Sequence, residues 1–274
     1  MPVLSAADID FWEENGYVVL HDAVPPENCQ AAERAIWDFL EMDTDDPETW
    51  YPNPPRRGIM VEIYQHQALW DNRQYPRIHQ AFSEIWGTEK LWVSFDRGSL
   101  NPPERPDFKF PGPYLHWDMS LDMPFGLRVQ GVLYLTDTPA NQGAFTCIPG
   151  FHRKLEGWLK DLPEDADPRQ LIKERDADAV PVAGKAGDLV IWHSALPHGS
   201  SPNSSDRPRI VQYITMSPAP KENSEEARQK RISGWRERLT GLGKEEKEKE
   251  HLQGKTAELT PLGRRLLGLD TWEV

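Results

Sequence analysis

The stretch GPYLHWDMSLD (residues 112–122) places His116 and Asp118 two positions apart, on either side of Trp117. In an extended strand, side chains at i and i+2 leave the same face, roughly 6–7 Å apart at a rise of about 3.3 Å per residue. An imidazole and a carboxylate so placed can lean onto one metal ion, or form a polar pair on a solvated face. A second stretch, GDLVIWHSALPHGSSPNSSDRPRIVQYITM (residues 187–216), holds His193, His198, Arg207 and Arg209. Two histidines and one carboxylate on one face of a metal leave positions open for a cosubstrate and O2, the ligand set of non-haem Fe(II) oxygenases. Zinc hydrolases draw on the same residue types, so the ligands alone do not fix the metal. An arginine beside them would grip a carboxylate bidentately, which lysine does less well. Arg207 precedes Pro208 in a turn, whereas Arg209 opens an apolar run and can point inward. His193, at the end of DLVIWH, competes with His198 for the third ligand position.

These residues need elements to position them. LWVSF, VQGVLYLT, GAFTCIP, AVPV, DLVIWH and RIVQYITM are short β-branched or aromatic runs separated by Gly, Pro, Asn and Asp. Such a series predicts a sandwich or barrel of many strands. Ahead of it, Ser5 caps a helix with Asp8 three residues on, and Gly16 ends it. YVVL (17–20) follows as a short strand. Further helices are expected over about 26–42 and 75–87, with the polar, proline-rich residues 43–58 as a loop. KLEGWLKD and the acidic residues 162–178 read as a helical insertion. Residues 222–252 read as charged helix, and Thr260 with Pro261 as the start of another. The expected fold is mainly β with flanking helices in one domain, 1–274. Its β core spans about 91–216, its N-terminal helices about 5–87 and its helical tail about 220–274.

The segment NPPERPDFKFPGP (101–113) cannot be a central strand, because its prolines remove ladder donors. It leads into His116, and loops on a rigid scaffold are where selectivity usually resides. Phe108 and Phe110 are therefore expected to meet the substrate, and the tail, with Trp235 and Trp272 as anchors, to be a second lid.

Composition narrows the partners. A net charge of −13 argues against nucleic acid, which demands a basic surface. The opening residues lack the basic and apolar regions of a signal peptide, and no run is long enough to span a membrane. Cys29 and Cys147 stand alone and read as buried hydrophobes, so a reducing, cytoplasmic location is expected.

Together HWD, QGVLYLTDTPANQGAFTCIPGFHR and GDLVIWHSALPHGSSPNSSDRPR resemble the phytanoyl-CoA dioxygenase family, from FWEENGYVVL to about Met216. The resemblance implies a double-stranded β-helix (jelly-roll, cupin-like) fold. It also implies an Fe(II)- and 2-oxoglutarate-dependent dioxygenase that hydroxylates a small organic metabolite or acyl substrate, releasing succinate and CO2. By the same resemblance His116, Asp118 and His198 correspond to the iron ligands and Arg209 to the arginine that pairs with 2-oxoglutarate. Ser200 and Tyr134 stand where further cosubstrate contacts occur. The family's usual PGSH is PGFH here, so Phe151 is expected to reshape the pocket wall. Arg97 is a stand-in for a lysine that some members place near the cosubstrate. Asp118 argues against halogenation, since related halogenases carry a small residue there. Two other readings fit the residues: a zinc or manganese lyase or hydrolase of cupin type, and a non-catalytic jelly-roll binding protein.

Overall fold

The computed structural model describes residues 1–52, 58–220, 225–239 and 245–272. The chain runs through α1 (Ala6–Asn15), β1 (Tyr17–Leu20), α2 (Pro26–Leu40), β2 (Met60–Val61), α3 (Gln67–Arg73) and α4 (Pro76–Trp86). It continues with β3 (Leu91–Val93), β4 (Gly98–Asn101), β5 (Val129–Tyr134), β6 (Phe145–Cys147), α5 (Leu155–Lys160) and α6 (Pro168–Leu171). Next come β7 (Val180–Val182), β8 (Leu189–His193), β9 (His198–Ser200), β10 (Arg209–Tyr213) and β11 (Met216–Pro218). The helices α7 (Glu225–Glu237), α8 (Glu245–Gln253) and α9 (Pro261–Leu267) end it.

Antiparallel pairing gives a six-stranded sheet in the order β1-β8-β5-β10-β4-β2, a three-stranded sheet β7-β6-β9, and a β11-β3 pair. Alternation along the central strands splits the core into two layers. Leu189 and Ile191 of β8, Leu133 of β5 and Ile210 of β10 pack with Ile36 of α2, Trp70 of α3 and Phe82 of α4. Their neighbours Val190, Trp192, Val132, Tyr134 and Val211 pack instead with Phe145 and Cys147 of β6 and Val182 of β7. The large sheet is thus covered on both faces, by helices and by the small sheet. That is why LVIW reads as a continuous apolar run with no polar alternation. Each such side chain contributes about 1.5–3 kcal/mol by leaving water.

The caps form as their residues dictate: Ser5 and Asp8 make the reciprocal box, and Gly16 closes α1 at φ 76°. Three features depart from expectation. β1 and β2 join the edges of the large sheet, which therefore extends beyond residues 91–216. GSLN forms β4 despite its low strand propensity, because β10 and β2 pair with it on either side. The short helix α3 carries no sequence signal strong enough to separate it from the loop before it. Both cysteines are buried, and burial raises their thiols, Cys29 to about 11 and Cys147 to about 12.

The tail is tied down by its tryptophans: Trp235 Nε1 donates to the Ala257 carbonyl (3.0 Å) and Trp272 Nε1 to Leu91 (3.1 Å). No described helix is long and apolar enough to cross a membrane. The expected loop residues 53–57, and the expected helical residues 222–224 and 240–244, lie outside the described residues.

Candidate active site

His198 sits on β9, where its backbone exchanges two hydrogen bonds with His116 (2.9 and 3.0 Å). That bridge replaces the regular strand expected around His116; Asp118 lies in the bend that follows. Glycine permits the close approach. A Cβ on Gly199 would lie 2.7 Å from the carbonyl oxygens of Pro113 and Tyr114, inside van der Waals contact. Arg169, from the acidic insertion, donates to the carbonyls of Trp117 (2.8 Å) and Met119 (2.6 Å), fixing the backbone on both sides of Asp118.

The result is convergence. One ligand atom from each of His116, Asp118 and His198 lies within 4.8 Å of the others. His116 Nε2 is 3.3 Å from Asp118 Oδ1, and His198 Nε2 is 3.5 Å from Asp118 Oδ2. Each imidazole pairs its Nδ1 with a backbone carbonyl, of Tyr114 (2.8 Å) and Leu196 (2.9 Å) respectively. Donating Nδ1–H there leaves both Nε2 lone pairs aimed at a carboxylate, an arrangement that calls for a cation or protons between them. Electrostatics agree. Hydrogen bonds to His116 and then His198 hold Asp118 well below the usual carboxylate range, with a smaller contribution from Gln130 and against burial. Burial depresses His116, but the hydrogen bonds to Asp118 and Tyr114 outweigh it and raise its pKa. Burial dominates at His198 and lowers it.

The triad opens into a cavity of about 410 Å3 that Arg209, Ser200 and Trp192 also line. Arg209 is 1 % exposed, and its Nη2 donates to Ser200 (3.1 Å) and Ser99 (3.4 Å). Its Nε is buried without a partner, and no carboxylate lies within ion-pairing distance among the described residues. A buried guanidinium so placed has donors free to receive an anion. Arg207, by contrast, is exposed in the turn.

His193 lies outside the triad. Its Nδ1 accepts from Ala195 N–H (3.0 Å), its ring faces those of Trp12 and His152, and burial lowers its pKa to about 4. Tyr134 lies on the Gln130 face of β5, yet its hydroxyl donates to Val182 (2.6 Å) and accepts from Phe145 N–H (3.0 Å), and it does not line the cavity. Its one O–H is given to a backbone carbonyl, which leaves no donor there for a cosubstrate carboxylate. Phe151 packs on Trp117 and Trp158 away from the cavity, so the PGFH variation does not alter its wall. Trp192, not Trp117, reaches the lining. In the 101–113 segment, Pro111, Gly112 and Pro113 line the cavity, while Phe108 packs on Tyr51 and Phe110 on Tyr114. No described tail residue lines it.

Several contributors carried no motif. Gln130 Nε2 donates to Asp118 Oδ2 (2.9 Å), and Trp192, its partner in the β5–β8 register, lies against His198 at 5.1 Å between ring centroids. Ser99 reaches Arg209 from β4, two positions from Arg97, which also lines the cavity. Only the period of two together with the strand register would have found them.

Comparisons with known proteins place this geometry. The chain is 26 % identical to the Ava biosynthesis cluster protein O of Aspergillus versicolor over 76 % of each chain. It is 25 % identical to an ectoine dioxygenase of Halomonas elongata, covering 77 % of this chain and 69 % of the relative. Among solved structures, a hypothetical protein of Escherichia coli aligns with a TM-score of 0.70 at 16 % identity, over 97 % of this chain and 82 % of that one. The epimerase SnoN of nogalamycin biosynthesis, solved with Fe3+ and α-ketoglutarate, aligns with a TM-score of 0.58 at 18 % identity, over 93 % and 94 %. These structures share the fold, a sheet-rich core with helices. The phytanoyl-CoA dioxygenase profile matches residues 12–211, most of the chain, which therefore belongs to the phytanoyl-CoA dioxygenase family of Fe(II)- and 2-oxoglutarate-dependent oxygenases.

Proposed function

We propose that His116, Asp118 and His198 hold the Fe(II) ion, that Arg209 pairs with the distal carboxylate of 2-oxoglutarate, and that the enzyme hydroxylates a small organic molecule. The observation that carries this is the pair of Nε2 lone pairs and one carboxylate converging within 4.8 Å beside a buried arginine without a counter-ion. Bound together, iron, 2-oxoglutarate and O2 supply the oxidising chemistry and yield succinate and CO2.

The chain's own residues do the rest. Backbone carbonyls fix the tautomers of both histidines. Gln130 holds one oxygen of Asp118, so the carboxylate presents the other. Ser200 and Ser99 orient the guanidinium of Arg209, whose planar fork suits a carboxylate better than a point charge. Phe145 and Trp192 flank His198 and exclude water from one wall. We read the two facing sheets as a double-stranded β-helix core, and residues 1–274 as one domain in which helices and tail brace it. Tyr134 belongs to that scaffold in this reading rather than to the cosubstrate site.

The relatives differ in outcome. One is named for dioxygenation of ectoine and SnoN for epimerisation, so scaffold and centre set the oxidant while the rest of the cavity sets the reaction. Incubation with 2-oxoglutarate under air, with and without Fe(II), tests the reading. Iron-dependent succinate is expected. Turnover supported equally by zinc, with no succinate, would establish the lyase or hydrolase alternative.

A further inference from the structure

Beyond the triad and Arg209, the cavity carries one more charged pair on its wall, Asp96 and Arg97, just ahead of β4. They are not equivalent. The Arg97 guanidinium is engaged: its Nη1 lies 2.9 Å from Glu62 Oε1, and it covers the ring of Tyr64 at 5.7 Å. Tyr64 in turn donates its hydroxyl to Glu62. The charge of Arg97 is thus met by Glu62, whose side chain is only 10 % exposed.

Asp96 is differently placed. Its Oδ1 accepts the backbone N–H of Arg97 (2.9 Å) and lies 3.8 Å from Arg97 Nε, too far for a hydrogen bond. Its Oδ2 has no hydrogen-bond partner among the described residues. Its side chain is about a third exposed, at 36 %, on the cavity wall. Burial raises its pKa, against the Arg97 backbone N–H and the charges of Arg97 and Arg73, with a smaller push from Asp118. An anion in such a recess gains from a cation that enters with its own hydrogen-bond donors.

Charge balance gives the sign of the ligand. On the oxygenase reading above, which this inference adopts, the dication and Arg209 balance Asp118 and the two carboxylates of the cosubstrate. The loaded centre then has no net charge. Arg97 is engaged mainly by Glu62 and reaches Asp96 only at 3.8 Å, the buried Arg73 is shared between Asp96 and Glu250, and Asp96 keeps Oδ2 without a hydrogen-bond partner among the described residues on the cavity wall. The net charge of −13 also repels anions at longer range.

We infer that the primary substrate carries a protonated amine or other cationic nitrogen, and that Asp96 is the specificity-determining residue that receives it. Ile59 and Met60, also on the wall, offer apolar surface for an aliphatic portion. A highly phosphorylated acyl carrier would bring the wrong charge to this opening.

The test is the anaerobic protein loaded with Fe(II) and saturating 2-oxoglutarate, so that Arg209 is occupied. Loading is read first from the visible charge-transfer absorption; its absence contradicts the oxygenase reading itself. Hexylammonium, hexan-1-ol and hexanoate, matched in length, are then titrated by saturation-transfer NMR. Hexylammonium should bind about tenfold tighter than hexanoate or more, the worth of one charge-assisted hydrogen bond. Asp96→Asn should remove that preference without changing the charge-transfer absorption. Equal or tighter binding of hexanoate by the wild type, or an unchanged preference in Asp96→Asn, overturns the assignment.

Discussion

Replacing Arg209 by lysine keeps the charge and removes the fork, which isolates what the guanidinium geometry contributes. The side chain is 1 % exposed and reaches Ser200 and Ser99 through one nitrogen. Its remaining donors face a cavity where a carboxylate can be gripped by two bonds at once. Disrupting a buried, hydrogen-bonded charge pair costs about 2–5 kcal/mol. Lysine retains the charge, so the low end applies, and about 2 kcal/mol is roughly a 30-fold weaker Kd. Arg207→Lys is the control, since exposed pairs contribute about 0–1 kcal/mol, less than roughly fivefold. The assay is 2-oxoglutarate binding to the anaerobic Fe(II) protein, followed by its charge-transfer absorption, with KM from succinate formation as a second readout. Equal effects at the two arginines, or less than about a threefold change in Arg209→Lys, would refute the assignment.

Further outcomes are expected at Gln130, with pH and at Phe110. Gln130→Leu should weaken metal binding about 10–100-fold in calorimetric titration, as loss of a group supporting a ligand carboxylate does. Gln130→Glu should be no milder despite its shape, because it sets a like charge against Asp118. Because the ligands must be deprotonated, metal affinity should rise between about pH 6 and 8, by at most about tenfold per unit for one proton. The raised pKa of His116 acts oppositely in the metal-free protein. The stability it contributes is full below the unfolded pKa and is lost as pH rises through the folded value. The lowered pKa values of His198 and His193 act with the opposite sign, so the difference between wild-type and His116→Gln melts, not the wild-type melt alone, would follow it. Phe110→Ala should lower stability by about 3–5 kcal/mol in denaturant titration. Phe110 is 3 % exposed and packs on Tyr114, so succinate and product formation should fall in parallel, and selective loss of product would return it to the substrate wall.

Much of the site was legible because its key residues are close in sequence or follow recognisable order. His116 and Asp118 are two apart, and Arg209 opens β10, the strand after the one that carries His198. What brings them together was less visible. The expected strand around His116 is a two-bond bridge to His198, made possible by Gly199, and no local pattern announces it. Gln130, Ser99, Asp96 and Trp192 lie in or beside strands buried on both faces. There hydrophobicity does not alternate, so sequence cannot tell which residues turn to the cavity. β4 forms through its neighbours rather than through the propensities of GSLN. Tyr134 shows the converse limit. Its position on the right face of β5 could be anticipated, but not that backbone groups of Val182 and Phe145 occupy its hydroxyl.

The central claim is that His116, Asp118 and His198 hold one iron ion per chain. Anaerobic calorimetric titration of Fe(II) into the metal-free protein with 2-oxoglutarate, comparing wild type with Asp118→Ala, tests it most directly. The account predicts one ion per wild-type chain and binding at least about tenfold weaker in the variant, with the metal-free melting temperature little changed. Tight one-to-one binding that survives Asp118→Ala would contradict it.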